Sequence, residues 1–224
     1  MRIDAQDRER VGAAVKAAEA TTDGEIVAIA ARQSDAYHDV ALHWAVLGIF
    51  LVLAVQAAVP GHFVPVLDWA LRGGWGEQWP IWFLLTAQLV VLAAVFLALT
   101  LVFRSTRLRM ALTPGTTKSR RVRARAVLLF RASIESRTAT RTGVLLYLSE
   151  AEHRAEIVAD AAIHAKVPDS EWGEAMALLL DAIRDDRPGD GMVTAIAAIG
   201  RVLADHFPHT GTDPNELPDR LIEL

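Results

Sequence analysis

Cysteine is absent from the 224-residue chain. That excludes disulfides, thiolate metal sites and a cysteine nucleophile, and it is compatible with a reducing cytosol. No glycine loop of the phosphate-cradling kind occurs, and none of Ser34, Ser105, Ser119, Ser133, Ser136, Ser149 and Ser170 stands in a nucleophile-elbow context. Internal repeats and low-complexity tracts are also missing. Acidic residues vanish between Glu77 and Glu135. The net charge of −4 therefore hides an asymmetry: residues 104–131 hold nine basic and no acidic side chains, whereas 135–224 hold 17 acidic and eight basic ones.

Two long apolar stretches are present, Val40 to Val59 and Ile81 to Phe103, the second without any charge. A bilayer core of roughly 30 Å needs about 20 helical residues, so both stretches are long enough to span it. They predict a tight transmembrane hairpin. A cleaved signal peptide would lie nearer the start, whereas a polar, amphipathic segment precedes the first stretch. A buried soluble helix pair is disfavoured by the aromatics: Trp69, Trp75, Trp79 and Trp82 crowd the connecting loop and its edge, and Trp44 lies near the opposite boundary, as rings at headgroup level do. His43, Gln56 and Gln88 are uncharged polar groups at membrane depth, expected to be satisfied across the helix pair.

The connecting loop holds only Arg72 against Asp68 and Glu77, while Arg104, Arg107, Arg109, Lys118, Arg120, Arg121, Arg123 and Arg125 follow the second stretch. Basic residues bias a flank towards the cytoplasm. The expected placement is a bacterial inner membrane, multi-pass, with both termini cytoplasmic. Arg104, Arg107, Arg109, Lys118, Arg120 and Arg121 are candidate ligands of anionic lipid headgroups, at about 1 kcal/mol each near the surface. Nucleic acid is not expected, because only Phe103 and Phe130 bracket this stretch and no nucleic-acid module is visible.

Removing the hairpin leaves residues enough for a single core. Asp4 is placed to cap a helix with Val11, Ala14, Val15 and Ala18 at helical spacing, stopped at Asp23-Gly24 by a left-handed glycine. A strand follows over 25–31. Val122, Ala126, Phe130 and Ile134 predict a helix over 118–139. Strands are predicted at 142–149 and 154–160, joined by Glu150-Ala151-Glu152-His153 as an antiparallel hairpin. Asp169 or Ser170 would cap a helix bearing Trp172, Met176, Leu179 and Ile183. A last helix, after Pro188-Gly189, carries Val193, Ile196, Ile199, Leu203 and Phe207 and stops at Pro208.

If the strands at 25–31 and 142–149 are parallel, the 118–139 helix is their crossover and the hairpin is an insertion in it. The expected organisation is 1–38, first part of the soluble domain; 40–103, hairpin; 104–117, basic linker; 118–208, remainder of the domain; 209–224, tail.

Carboxylates at a strand end are candidates for a site. Asp160 and Asp169, with Glu25, are the candidate metal ligands; calcium takes six to eight oxygens, so main-chain oxygens and water would have to complete the shell. The alternative is that Asp169 caps its helix and Asp160 ends its strand in solvent. His164 is read as a surface histidine in a loop, and His206 and His209 as solvated. Glu150, Glu152 and Glu156 form an acidic cluster at the hairpin tip, either docking surface or solvated.

Asp23-Gly24-Glu25-Ile26-Val27, then Arg141-Thr142-Gly143-Val144-Leu145-Leu146-Tyr147-Leu148-Ser149, then Arg154 to Asp160, with two closing helices, resemble the TPM-domain family in its membrane-anchored bacterial branch, where a transmembrane pair splits the domain. The closing Asn215-Glu216-Leu217-Pro218 is similar to that branch's tail. The resemblance implies a small mixed-sheet α/β sandwich, helices on both faces, with an inserted two-helix transmembrane hairpin. Members have been linked to membrane-protein maintenance, receptor modulation, calcium binding and weak acid-phosphatase activity. In many, a Gly-Tyr-Gly-Leu-Glu-Gly turn and an aspartate form an acidic pocket. By position Asp169 matches that aspartate and His164 replaces the glutamate, while the glycines that permit close backbone approach are lost. The functional expectation is a membrane-anchored cytoplasmic interaction module acting on or beside inner-membrane proteins, without catalysis of its own; the alternative is a metal-dependent phosphatase-like hydrolase or calcium-binding module.

Overall fold

A computed structural model describes residues 3–70, 79–135, 142–210 and 217–224, apart from the side chains of Pro60, Glu135 and Asp169. Two compact units emerge: Met1–Ala36 with Pro114–Leu224, and Tyr37–Thr113.

In the first unit, α1 (Ala5–Glu19) opens on a capping box, the Asp4 carboxylate accepting from the Asp7 amide at 2.8 Å while Asp7 accepts from that of Asp4 at 3.3 Å. Val11, Val15 and Ala18 form its buried stripe. The helix ends at Glu19, four residues before the expected stop. Gly24 is not left-handed; a Cβ there would sit 3.0 Å from Leu203 Cδ1, so packing rather than conformation favours glycine. Strand β1 (Glu25–Ala31) follows, buried throughout.

After the second unit's segment the chain re-enters through α6 (Gly115–Phe130), which starts three residues earlier than expected and gives way to a π-helical turn, Arg131–Glu135. Residues 136–139 of the predicted helix lie outside the described residues. Then come β2 (Gly143–Ser149), β3 (Arg154–Ala159), a short α7 (Ala161–His164), α8 (Gly173–Arg184), α9 (Pro188–His206) and β4 (Ile222–Glu223). The segment with His164, expected as a loop, is therefore helical. A 3-10 turn, Asp169–Trp172, precedes α8, so neither Asp169 nor Ser170 stands at the cap position of α8, and Trp172 lies before it. Asp186, at φ 58°, takes the left-handed place after α8, and the Arg187 amide donates back to Ala182 O at 2.9 Å.

The sheet order is β3-β2-β1-β4, with β1 parallel to β2 and β4 and β2 antiparallel to β3. Alternation sends Ile26, Ala28, Ala30, Val144, Leu146 and Leu148 into one core with residues of α1, α8 and α9. Val27, Ile29, Ala31, Leu145 and Tyr147 meet Val122, Ala126 and Phe130 of α6 on the other side. The result is the mixed-sheet α/β sandwich, helices on both faces. Gly200 lets α9 approach α1 closely; a Cβ there would lie 2.6 Å from that of Ala18.

The second unit contains α2 (His38–Ala58), a 3-10 turn (Pro60–His62), α3 (Phe63–Ala70), α4 (Ile81–Val102) and α5 (Thr106–Leu112). At 1.5 Å per residue α2 and α4 are each about 30 Å long, with mean hydropathies of 2.1 and 2.5. Both are long and apolar enough to cross a bilayer. Leu99 packs against Gly48, where a side chain would intrude. Almost nothing on the pair is covered: α4 has no buried residue, and Phe50 and Leu89 are 63% and 66% exposed. His43 is satisfied within its own helix, Nδ1 lying 2.6 Å from Asp39 O.

Candidate functional site

The register builds a row across one end of the sheet. Glu25 pairs with Gly143, and the Val144–Ala159 pair brings Asp160 opposite Gly143 on its other side. Asp160 and Gly143 close this end of the ladder: the Asp160 amide donates to Gly143 O at 3.0 Å, and the Gly143 amide donates to Asp160 Oδ2 at 3.2 Å. By strand alternation Glu25 belongs to the face of Val27 and Asp160 to that of Val158, the α6 side, with only a glycine between them. Both are buried, at 7% and 4% exposure. Asp160 thus does not end its strand in solvent.

Two strand spacings place their α-carbons about 10 Å apart. Among the described residues no three His, Cys, Asp or Glu side chains are grouped to hold a metal ion. The side chain of Asp169 lies outside the described residues.

Glu19, which the sequence did not single out, stands at the same end. Glu25 turns its amide towards Thr142 O, so Ile26 turns its own towards the opposite edge, where β4 pairs only with Ile29 and Ala30. Glu19 Oε1 accepts that Ile26 N–H at 2.8 Å. Burial pushes the Glu19 carboxyl up to about 8, against the pull of the Ile26 amide and with smaller help from the Glu25 and Asp219 carboxylates. Only knowledge that β4 stops short of Ile26 would have revealed this role. Asp23, read as part of a helix stop, accepts from Thr210 N at 2.8 Å and Thr210 Oγ1 at 2.6 Å, which with neighbouring His209 holds it below the usual carboxylate range.

At the opposite end, a second polar group was only partly legible. Glu152, expected at a hairpin tip, is 5% exposed; it accepts from Ser34 N at 2.9 Å and from Ser149 Oγ at 2.5 Å. Ser34 Oγ bonds Ser149 Oγ and the Tyr147 hydroxyl at 2.9 and 3.0 Å. Burial raises the Tyr147 phenol. This network ties the exits of β1 and β2 together. His206, expected to be solvated, lies 2.9 Å from Glu171.

The basic residues divide. Arg104, Arg107 and Arg120 are exposed, Lys118 is half-buried, and Arg121 reaches Asp35 at 2.9 Å. Arg109 is 9% exposed and donates to Thr106 Oγ1 at 3.3 Å. Of the tryptophans, Trp69 and Trp82 are 82% and 68% exposed, Trp44 stacks on Phe103, and Trp79 stacks on Phe83 while donating to Asp68 at 2.5 Å. Trp75 lies outside the described residues, as do Arg141, Asn215 and Glu216.

A family model described as TPM domain matches residues 103–202, from the end of α4 to most of α9. The NMR structure of the BA42 protein from the psychrophilic bacterium Bizionia argentinensis is similar in fold, with a TM-score of 0.57 and 16% identity over 100% of this chain and 97% of that one. No curated protein matches. The matched segment holds α6, β2, β3 and α8, and β1 completes its sheet from the other side of the hairpin; over residues 103–202 the chain carries a TPM domain.

Proposed function

We propose that the protein is a membrane-anchored interaction module whose α/β domain works at the cytoplasmic face of a bacterial inner membrane, on or beside other membrane proteins, with no catalysis of its own. One observation carries the reading: between β1 and α6 the chain inserts two 30-Å-class apolar helices with almost no buried surface. In water so large an apolar surface would drive association; in a bilayer it is an anchor. The basic flank, including Arg104, Arg107 and Arg120, sets the cytoplasmic side and offers partners to anionic lipid headgroups.

The absence of native cysteine makes the test clean. Single cysteines introduced at residue 74 and at Asp205 should be labelled from opposite sides of intact membranes by an impermeant maleimide. Photo-crosslinking in the same membranes should then enrich partners over a version reduced to residues 37–113; no enrichment removes the reading's main support.

A second reading rests on the Glu25–Gly143–Asp160 row, two buried carboxylates on one face of the sheet. Here Asp160, Asp169 and Glu25 would hold calcium or another divalent ion, as in a metal-dependent phosphatase-like hydrolase. Calorimetric titration of calcium, magnesium and manganese into the full chain decides it: saturable binding lost in Asp160→Asn favours this reading, and none in the folded protein eliminates it.

A further inference from the structure

Helix α3 is apolar round most of its circumference. At about 100° per residue, Trp69, Val66, Ala70, Phe63, Leu67 and Val64 follow one another round roughly 220° of the helix, about twice the stripe that a helix laid on a protein core needs. None of them is buried: Phe63 and Leu67 are half-covered, and Val64, Val66, Trp69 and Ala70 are exposed. The single polar side chain of α3, Asp68, is used internally. It accepts the Trp79 indole N–H, and Trp79 stacks on Phe83 of α4.

The register of the two long helices fixes the depth of α3. Trp44 meets Phe103, Leu99 packs at Gly48 and Gln56 bonds Gln88, so α2 and α4 run antiparallel. Gln56 lies two residues from the end of α2 and Gln88 seven residues into α4. That offset carries α4 about five residues, roughly 7 Å, past the end of α2. α3 starts just after α2 stops, and Asp68 ties its last turn to Trp79, two residues before α4 begins. α3 therefore lies at the depth of the first turns of α4, where Ile81, Trp82 and Leu85 are exposed as well.

We infer that α3 is a lipid-binding helix inserted into the non-cytoplasmic leaflet, its apolar arc set against acyl chains and the glycerol level of the bilayer. This rests on the membrane-anchor reading and adds to it a lipid surface in the connection between the two spans. Eight residues make a helix of about 12 Å, too short to cross the bilayer and too apolar for an aqueous loop. A helix at the membrane boundary sinks about 5–10 Å into it, which matches the step of roughly 7 Å that the end of α2 leaves beside α4. Continuity selects the occupant. Only the short turn Pro60–His62 separates the exposed arc of α3 from the exposed apolar surface of α2, so the lipid that covers the spans covers α3 too. Trp69, Trp79 and Trp82 gather at this end, where indole rings favour the headgroup level. The insertion is one-sided: α3 displaces lipid from one leaflet only.

The test uses the full chain in liposomes of phosphatidylethanolamine and phosphatidylglycerol, with a nitroxide on single introduced cysteines. Val66→Cys and Trp69→Cys report on α3, Leu89→Cys on α4 and Asp205→Cys on the α/β domain; all four positions are exposed. Collisions with oxygen, which concentrates in lipid, are compared with collisions with a water-soluble nickel chelate. Oxygen should dominate at Leu89 and, less strongly, at Val66 and Trp69, and the chelate should dominate at Asp205. Adding Trp79→Phe removes the donor to Asp68 and should raise chelate collisions at position 69 at least about twofold. Chelate-dominated collisions at Val66 and Trp69, with oxygen still dominant at Leu89, put α3 in water and overturn the assignment while the anchor stands. Slow collisions with both reagents at these two positions put α3 under protein and overturn it equally. Chelate access at Leu89 strikes the anchor itself, and α3 with it. An unchanged ratio at position 69 in the Trp79→Phe background overturns the Asp68 tether as what sets the depth.

Discussion

Gln56 and Gln88 face each other across α2 and α4 and exchange two amide hydrogen bonds, Gln56 Nε2 to Gln88 Oε1 at 3.0 Å and Gln88 Nε2 to Gln56 Oε1 at 2.7 Å. In hydrocarbon no water would replace either bond, so the pair sets the facing and register of the two helices. Gln88→Leu leaves the Gln56 amide without this partner. It should weaken the hairpin by roughly 0.6–2 kcal/mol, read as a lower midpoint in detergent denaturation from mixed micelles, and Gln56→Leu with Gln88→Leu should recover part of the loss. Unchanged midpoints in both would show that packing at Gly48 and Leu99 suffices.

Glu19 gives the domain a pH signature. Its carboxyl titrates near 8 when folded and near 4.5 when not. Between those values the folded chain holds a proton that the unfolded chain has released, so this group's contribution to stability falls as pH rises through the window and is level above it. Glu19→Gln keeps an acceptor for the Ile26 amide and removes the titration. Thermal midpoints from pH 5 to 9 should therefore decline less steeply in the variant, with the largest gain over the unaltered protein at the alkaline end. Parallel curves would place the decline elsewhere.

Asp160 closes the β2–β3 ladder as well as marking the row. Replacement by Ala removes the acceptor of the buried Gly143 amide, and such a loss costs about 1–3 kcal/mol. Denaturant unfolding of Asp160→Ala should show it. Asp160→Asn keeps an acceptor oxygen and should lose less, which separates the aspartate's structural role from any metal role.

Ser149→Val tests the network at the other end. The change keeps β-propensity but takes a hydroxyl from a fully buried position between Glu152 and Ser34. A loss of about 1–3 kcal/mol is expected in denaturant unfolding. An unchanged midpoint would show that the network contributes nothing to stability.

The strands were legible where local composition decided them. Glu25–Ala31 and Gly143–Ser149 are nearly unbroken apolar runs buried on both faces, the expected signature of central strands under two helical layers. The antiparallel return of β3 followed from the four residues available for its turn. β4 was not legible, because two residues in a polar tail carry no periodicity; their placement depends on Leu217 and Leu221 finding a core built elsewhere. The site divided in the same way. Glu25 and Asp160 could be chosen from position at strand ends, but their shared face needed the register. Glu152 read as a solvated tip because its partner Ser34 is 118 residues away in sequence. The cap expected at Asp169 failed locally, since a 3-10 turn shifts the start of α8 to Gly173.

Inserting two long helices between paired strands also sets a schedule for synthesis. β1 leaves the ribosome about 120 residues before its parallel neighbour β2. At roughly 5–20 residues per second that gap is on the order of ten seconds. During it, Ile26, Val27 and Ile29 have no sheet to enter, and the hairpin is made first. A nascent chain paused before residue 143 should thus display a helix and an unmatched apolar strand to any holdase nearby, and the sheet assembles only once the far half of the domain has emerged.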